Sequence, residues 1–187
     1  FFHVPGLKIV YPSAPADVKG LLISAIEDPN PVLFFEHKGL YRSLKGEVPT
    51  DLYNIELGKA NIVELGSDAT IITYGKAVHW AVDLVGKLDV SVEIIDLRTL
   101  MPWDRETVLT SVQKTNRALV LHEANITGGI GAEIASTVSE EAFEFLDAPV
   151  KRIASLDTPI PFAAHIERNV YLPHNRFENA LLELLEY

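Results

Sequence analysis

Apolar and polar positions near the start of the chain alternate as in a strand and then as in a helix. Residues Leu7–Tyr11 form a short apolar stretch that stops at Pro12, which predicts a strand. Ser13 is placed to cap a following helix with Pro15 in its first turn, where proline needs no hydrogen-bond donor. Apolar residues then recur at helical spacing, at Val18, Leu21, Leu22, Ala25 and Ile26. One face of this helix is therefore expected to be buried.

A second apolar stretch follows and completes a strand–helix–strand pattern. Pro29 and Pro31 end the helix. Residues 31–36 are apolar on both faces, which predicts a buried strand. Three such elements cannot close a core of their own, so this segment is expected to be the tail of a larger domain. The polar stretch 37–61, interrupted by glycine and proline, is predicted to be a linker.

The remaining chain alternates strands and helices. Strands are predicted at 70–74, 92–96, 118–122 and 150–153. Asp104 is predicted to cap the helix after the second strand, and Gly131 to open the helix after the third. The regular alternation predicts an α/β fold, with a mostly parallel sheet flanked by helices.

A last helix follows the proline-rich stretch 158–162. Asn175 and Glu178 have the spacing of a capping box at its start. Phe177, Leu181 and Leu184 recur on one face, which is predicted to be buried against the sheet.

Composition narrows the possible functions. The 187 residues carry 16 Lys and Arg against 26 Asp and Glu, a formal charge of −10 that disfavours nucleic-acid partners. No apolar run approaches the ~20 residues that a bilayer requires, so no membrane partner is expected. Cysteine is absent, which excludes disulfides, thiolate metal sites and cysteine nucleophiles. The aromatic first residue and the missing initiator Met lead us to expect that an upstream part is missing.

Three groups of residues could carry chemistry. The glycine-rich loop 127–131 joins a strand to a helix, where backbone amides attract phosphate, or it is simply a tight packing turn. It departs from a dinucleotide-binding fingerprint, because Ile134 occupies the position at which that fingerprint has its closing small residue. His122 and Glu123 end a strand, where the binding and active sites of α/β proteins usually lie. The alternative is that they are a polar pair whose hydrogen bonds are satisfied within the fold. Asp96 and Arg98 are predicted to form an ion pair at another strand end.

The end of the first helix is a candidate cation site. Pro29 and Pro31 leave the last helical carbonyls without intrahelical partners, and partial negative charge gathers there. Asp28 and Asn30 add further oxygen atoms. Such a group of carbonyls suits a weakly hydrated monovalent cation, and the alternative is a solvated helix end.

Nine short motifs stand in order along nearly the whole chain. They occupy residues 2–8, 19–22, 27–31, 73–75, 92–100, 122–124, 127–129, 145–150 and 157–161. Together they resemble the β subunits of the thiamine-diphosphate-dependent, decarboxylating component of 2-oxo-acid dehydrogenase complexes. Within that family, residues 26–28, 34–36, 53–55 and 101–104 are more similar to the branched-chain (2-oxoisovalerate) enzymes than to pyruvate dehydrogenase.

This resemblance implies a domain organisation and a reaction. Residues 1–57 would be the truncated end of the pyrimidine-binding domain plus a linker, and 58–187 a transketolase C-terminal-like three-layer domain. The family oxidatively decarboxylates 2-oxo acids and passes the acyl group to a lipoyl arm, using thiamine diphosphate as an electron sink. The family's cofactor-activating glutamate and active-site histidine lie upstream of residue 1. The diphosphate and magnesium are held by the α subunit, so this chain is expected to be catalytically inactive by itself and to bind neither thiamine diphosphate nor magnesium.

The resemblance also implies sites and partners. Ala25, Asp28 and Asn30 match a segment whose carbonyls bind a structural potassium ion. Asp147 matches an acidic position that docks the subunit-binding domain of the lipoyl-bearing acyltransferase. An α subunit and a second β subunit would complete a heterotetramer. The compartment would be the cytoplasm in a bacterium or the mitochondrial matrix in a eukaryote. The alternatives are a pyruvate dehydrogenase β subunit, or a non-enzymatic module whose Gly128–Gly129 loop holds a nucleotide.

Overall fold

The N-terminal segment folds as strand, helix and strand. The computed structural model describes residues 1–187. Strand β1 (Lys8–Val10) leads through helix α1 (Pro15–Glu27) to strand β2 (Val32–Phe34), which is parallel to β1. A short helix, α2 (Leu40–Ser43), follows. The predicted order of these elements is confirmed.

The second half contains a five-stranded sheet with helices between its strands. In chain order the elements of this half of the chain are β3 (Asn61–Glu64), β4 (Ala69–Thr73), α3 (Lys76–Val85), β5 (Val92–Asp96), β6 (Thr99–Met101), α4 (Arg105–Thr115), β7 (Ala118–Asn125), α5 (Ile130–Glu141), β8 (Lys151–Ser155) and, after a short α6 (Ala164–Ile166), α7 (His174–Leu185). Of these strands, β6 belongs to the smaller sheet of the N-terminal segment and the other five form the large sheet. The strand order is β3-β5-β4-β7-β8. All neighbouring pairs are parallel except β3 with β5, so the predicted mostly parallel sheet is confirmed.

Two apolar clusters, one on each face of this sheet, form the core. Ile71 and Ile72 are adjacent on β4 and belong to different clusters, because successive strand residues point to opposite faces. One cluster includes Val112 and Ile134 from α4 and α5, and the other includes Leu181 from α7. Helices therefore cover both faces, which gives three layers and explains why the central strands are apolar throughout.

The strand β6 joins the two halves of the chain. It runs antiparallel to β1, with Ile9 opposite Met101, so the smaller sheet has the order β2-β1-β6. The sequence pattern missed β6 and β3, which are only three and four residues long. Strand β2 was predicted to be buried but is half-buried, because it lies at the edge of the smaller sheet.

The predicted helix caps hold in one case and fail in two. Asp104 caps α4, since its carboxylate accepts a hydrogen bond from the Thr107 backbone N–H at 3.2 Å. Ser13 does not cap α1, because the N-cap position is Ala14, and the Ser13 hydroxyl instead donates to the buried carboxylate of Asp96. Asn175 lies within α7, which begins without a side-chain cap. None of the helices has the length and apolar character needed to cross a membrane.

Candidate functional site

Aromatic rings line the carboxyl edge of the five-stranded sheet, where it meets the N-terminal segment. Tyr11, after β1, lies 5.5 Å from Tyr74, measured between ring centroids. Tyr74 stacks on His122 of β7, with centroids 6.1 Å apart and ring planes 20° apart. Burial, and then the negative charge of Glu123, raise the pKa of Tyr11 to about 12. Tyr11 is therefore a neutral packing group at neutral pH.

His122 is completely enclosed at this edge. Its Nδ1–H donates to the Ala124 carbonyl at 3.1 Å, and its Nε2 has no hydrogen-bond partner. Burial lowers the pKa of His122 to about 4, so the ring is neutral at pH 7. A Cβ atom at Gly131 would lie 2.5 Å from Nε2, and one at Gly129 would lie 2.7 Å from Cε1. These glycines leave the space that the imidazole occupies, as the packing interpretation of the loop requires.

The mouth of the glycine-rich loop holds a carboxylate. Thr127 donates its backbone N–H and its hydroxyl to the two carboxylate oxygens of Asp157, at 3.1 and 2.7 Å. These hydrogen bonds lower the pKa of Asp157, which stays ionised. A fixed negative charge beside the loop repels a phosphate group, and this counts against the nucleotide-binding alternative.

Glu123 connects β7 to the N-terminal segment. Its carboxylate lies 3.0 Å from Nε2 of His37, which precedes α2. The two residues are 86 positions apart, so no spacing in the sequence indicated this contact. Only the placement of both residues near predicted strand ends could have suggested it.

Asp96 and Arg98 do not form the predicted ion pair. The guanidinium of Arg98 binds Asp17 of α1 at 3.1 Å and donates to the Lys59 carbonyl at 3.0 Å. Arg98 has a φ of 56°, in the left-handed region that residues other than glycine rarely adopt. Asp96 accepts hydrogen bonds from the Ser13 hydroxyl and from the Arg98 backbone N–H instead.

The three candidate cation ligands lie on one turn at the end of α1. The helical partner of the Ala25 carbonyl would be residue 29, a proline without an N–H group. The Asp28 carboxylate pairs with Lys8 and accepts two bonds from Asn30, at 2.9 and 3.1 Å. The hydrogen bond from Lys8, and then that from Asn30, lower the pKa of Asp28. The donor set that remains consists of backbone carbonyls, which suits an alkali cation better than a divalent one.

Asp147 is exposed on a rigid turn. Its backbone N–H donates to the Asn116 carbonyl at 2.9 Å, and the Asn116 side chain donates to the Phe145 carbonyl at 2.6 Å. The preceding 3₁₀ helix, Phe143–Phe145, leaves the ring of Phe143 74% exposed. The carboxylate of Asp147 takes part in none of the ion pairs. The exposure of Asp147 is as its position on a turn predicted.

Comparison with known protein families accounts for both parts of this architecture. The pyrimidine-binding domain model of transketolase matches residues 1–43, and the transketolase C-terminal domain model matches residues 58–176. The chain belongs to the transketolase C-terminal domain family. A structural neighbour described as a split-gene transketolase, an inactive β4 tetramer, has a TM-score of 0.78 over 98% of this chain and 59% of its own. At 22% identity, this neighbour supports the transketolase-type fold alone.

Curated relatives narrow the family further. β subunit 2 of the mitochondrial 2-oxoisovalerate dehydrogenase of Arabidopsis thaliana is 46% identical over 192 residues, which are 100% of this chain and 52% of the relative. The pyruvate dehydrogenase β subunit of Bacillus subtilis is 46% identical over 92% of this chain and 53% of its own length. This member of the transketolase C-terminal domain family thus spans about half the length of these relatives. The resemblance to 2-oxo-acid dehydrogenase β subunits is confirmed.

Proposed function

We propose that the chain is the C-terminal part of the β subunit of a thiamine-diphosphate-dependent 2-oxoisovalerate dehydrogenase. The observation that carries this proposal is 44–46% identity to two 2-oxoisovalerate dehydrogenase β subunits across 100% of the chain. The complete enzyme would decarboxylate branched-chain 2-oxo acids and pass the acyl group to lipoyl. Residues 58–187 would serve assembly with an α subunit and a second β subunit, in the cytoplasm of a bacterium or in the mitochondrial matrix.

The substrate is tested with the whole enzyme. A β subunit that contains this sequence is co-expressed with its α partner and assayed for decarboxylation of 2-oxoisovalerate and of pyruvate. We expect a higher kcat/KM for 2-oxoisovalerate. A preference for pyruvate would instead support the second candidate, a pyruvate dehydrogenase β subunit, which the 46% identity to the Bacillus subtilis protein favours.

The chain by itself should neither decarboxylate nor hold the cofactor. Its one fully buried imidazole, His122, is neutral and enclosed, and the ring of Tyr11 is held neutral by burial. Neither group is prepared to move a proton at neutral pH. Isothermal calorimetry with thiamine diphosphate and magnesium should show no binding. A sub-micromolar affinity for this chain alone would contradict the proposal.

A potassium ion at Ala25, Asp28 and Asn30 would be held by backbone carbonyls. Replacing Pro29 by Ala restores an N–H group that can satisfy the Ala25 carbonyl and extend α1. In the assembled enzyme, we expect a higher melting temperature in KCl than in NaCl of equal concentration, and we expect Pro29→Ala to abolish that difference. Pro31→Ala is the matched control, because Pro31 contributes only its carbonyl to the pairing with β1. Equal melting temperatures in both salts would reject the site.

Docking of a basic partner is tested at Asp147. Asp147→Ala should weaken binding of the acyltransferase subunit-binding domain by about 1–3 kcal/mol, because an interfacial charge pair is lost. The free energy of unfolding should change by less than ~0.5 kcal/mol, as is usual for an exposed residue without partners. Surface plasmon resonance at low salt measures the binding, and the exposed Asp83→Ala serves as the control. Equal affinities of mutant and parent would exclude Asp147 from the docking surface.

A further inference from the structure

A buried carboxylate without an ionic partner lies where the N-terminal segment meets the five-stranded sheet. Asp96 ends β5 and has no solvent-exposed surface. One carboxylate oxygen accepts the hydroxyl hydrogen of Ser13, and the other accepts the backbone N–H of Arg98 at 3.0 Å. Both donors are neutral groups. An ionised carboxylate is costly in such a place, because the two hydrogen bonds and the charge of Arg98, which is itself paired with Asp17, offset only part of the lost hydration.

The charged groups on the surrounding elements are engaged elsewhere. The guanidinium of Arg98 binds Asp17 of α1 at 3.1 Å. The ammonium group of Lys59, in the linker, lies 3.8 Å from Glu106. Asp17 places a second negative charge near Asp96, and this disfavours ionisation further.

Two further polar side chains lie near this junction. Nε2 of His79, on α3, donates to the Ser13 carbonyl at 2.9 Å and so fixes the turn that presents the Ser13 hydroxyl. Thr73 is opposite Asp96 in the register of β4 and β5, and its hydroxyl is buried without a partner.

We propose that Asp96 is a pH-sensitive latch that holds the N-terminal segment against the sheet, closed when its carboxyl group is neutral and loosened when it ionises. Among the contacts that cross this junction are the Ser13–Asp96 bond, the Arg98–Asp17 pair, and the bond from the Tyr11 N–H to the Arg98 carbonyl at 2.7 Å. The first of them joins the segment directly to the carboxyl group that titrates.

The direction of the pH effect follows from burial. Burial raises the pKa of Asp96 to about 7, even though the hydrogen bonds from Ser13 and from the Arg98 N–H favour the ionised form and lower it in part. When the junction opens, the carboxyl group meets water and its pKa returns to about 3.9. The closed state therefore binds more protons than the open state between these values. Each unit of pH rise in this window lowers the closed-to-open ratio by up to about tenfold.

Hydrogen exchange of the Tyr11 amide measures this opening, because that amide donates across the junction. Its protection factor, corrected for the intrinsic exchange rate at each pH, should fall by up to about tenfold per unit between pH 5 and 7. In Asp96→Asn the protection factor should be independent of pH. Asp83→Asn, which changes an exposed aspartate on α3, should behave like the parent. The amide of Thr70, within the large sheet, reports global unfolding and should not follow the Tyr11 amide.

A second measurement needs no variant. The carboxyl ¹³C resonance of Asp96 in the parent protein should titrate with a midpoint near 7. A midpoint near 4, or a Tyr11 protection factor that does not change between pH 5 and 7 in the parent, would overturn the proposal. If Asp96→Asn does not fold, these two measurements on the parent still decide the question.

Discussion

At the scale of single residues, two glycines in the first turn of α5 and in its preceding loop matter because they lack a side chain. Gly129 has a φ of −75°, which any residue can adopt. At Gly131 the His122 ring excludes a side chain, and at Gly129 the same ring and the Asn125 carbonyl do so, since each would lie within 2.7 Å of a new Cβ atom. The glycines and the histidine therefore form one packing unit, even though a glycine-rich loop before a helix is typical of phosphate sites.

Gly131→Ala should lower the free energy of unfolding by about 1–3 kcal/mol, because the added methyl group overpacks against His122. In a His122→Ala background the same substitution should cost almost nothing, since the ring is gone. Gly128→Ala is the control. It has a φ of 73° and no atom within 4 Å of a new Cβ, so its strain should persist in both backgrounds. Urea unfolding of the double-mutant cycle measures this coupling, and additive costs for Gly131 and His122 would contradict it.

At the scale of elements, helix α4 shows how a local signal becomes part of a tertiary contact. The Asp104 carboxylate accepts hydrogen bonds from the backbone N–H and the hydroxyl of Thr107, and also from the Ala60 N–H at 3.0 Å. The cap therefore fixes the helix and also fixes the end of the linker that leads into β3.

Asp104→Ala should destabilise the chain by about 1–2 kcal/mol, because the first turn of α4 and the partly buried Ala60 N–H lose their acceptor together. Asp104→Asn keeps an oxygen at the same place and should cost less than half as much. Thermal and urea unfolding of both variants provide the comparison. Equal losses would show that the negative charge, and not the hydrogen-bond geometry, is what Asp104 contributes.

At the scale of the whole molecule, the two halves share a sheet but are joined by an exposed connection. Residues 44–57 lie between the segment that matches the transketolase pyrimidine-binding domain and the segment that matches the transketolase C-terminal domain. The later part of this connection is held on α1, where Lys19 donates to the Pro49 carbonyl at 2.5 Å and Tyr53 donates to the Ala16 carbonyl at 2.6 Å. Lys45 is exposed and its side chain makes no hydrogen bond. We therefore propose 1–57 and 58–187 as the two structural units.

Limited trypsin digestion should cut first after Lys45, because protease needs an exposed segment that can adapt to its active site. Mass spectrometry should show a product that begins at Gly46. The two pieces should stay associated, since β1 pairs with β6 of the other piece. Lys45→Gln should delay cleavage. An initial cut within residues 118–146 would contradict the proposed division into two units.

The sequence by itself determined the order and type of the longer elements. Central strands such as β4 and β5 are buried on both faces, so they read as continuous apolar runs. The longer helices bury one stripe and so show a period of 3.6 residues. The cap of α4 by Asp104 was also predictable, because donor and acceptor are three residues apart. Such signals are local, because all the residues that produce them lie within one short segment of the chain.

Only the tertiary structure decided which polar groups that are distant in the sequence form hydrogen bonds or ion pairs with one another. Ser13 had the spacing of a helix cap, yet its hydroxyl binds Asp96, which lies 83 residues away. Arg98 is the basic residue nearest to Asp96 in the sequence, yet its guanidinium binds Asp17. Most buried polar groups take a hydrogen-bond partner that the fold brings within reach, and chain spacing does not contain that information. For the same reason three-residue β6 acquired its strand conformation only from its pairing with β1.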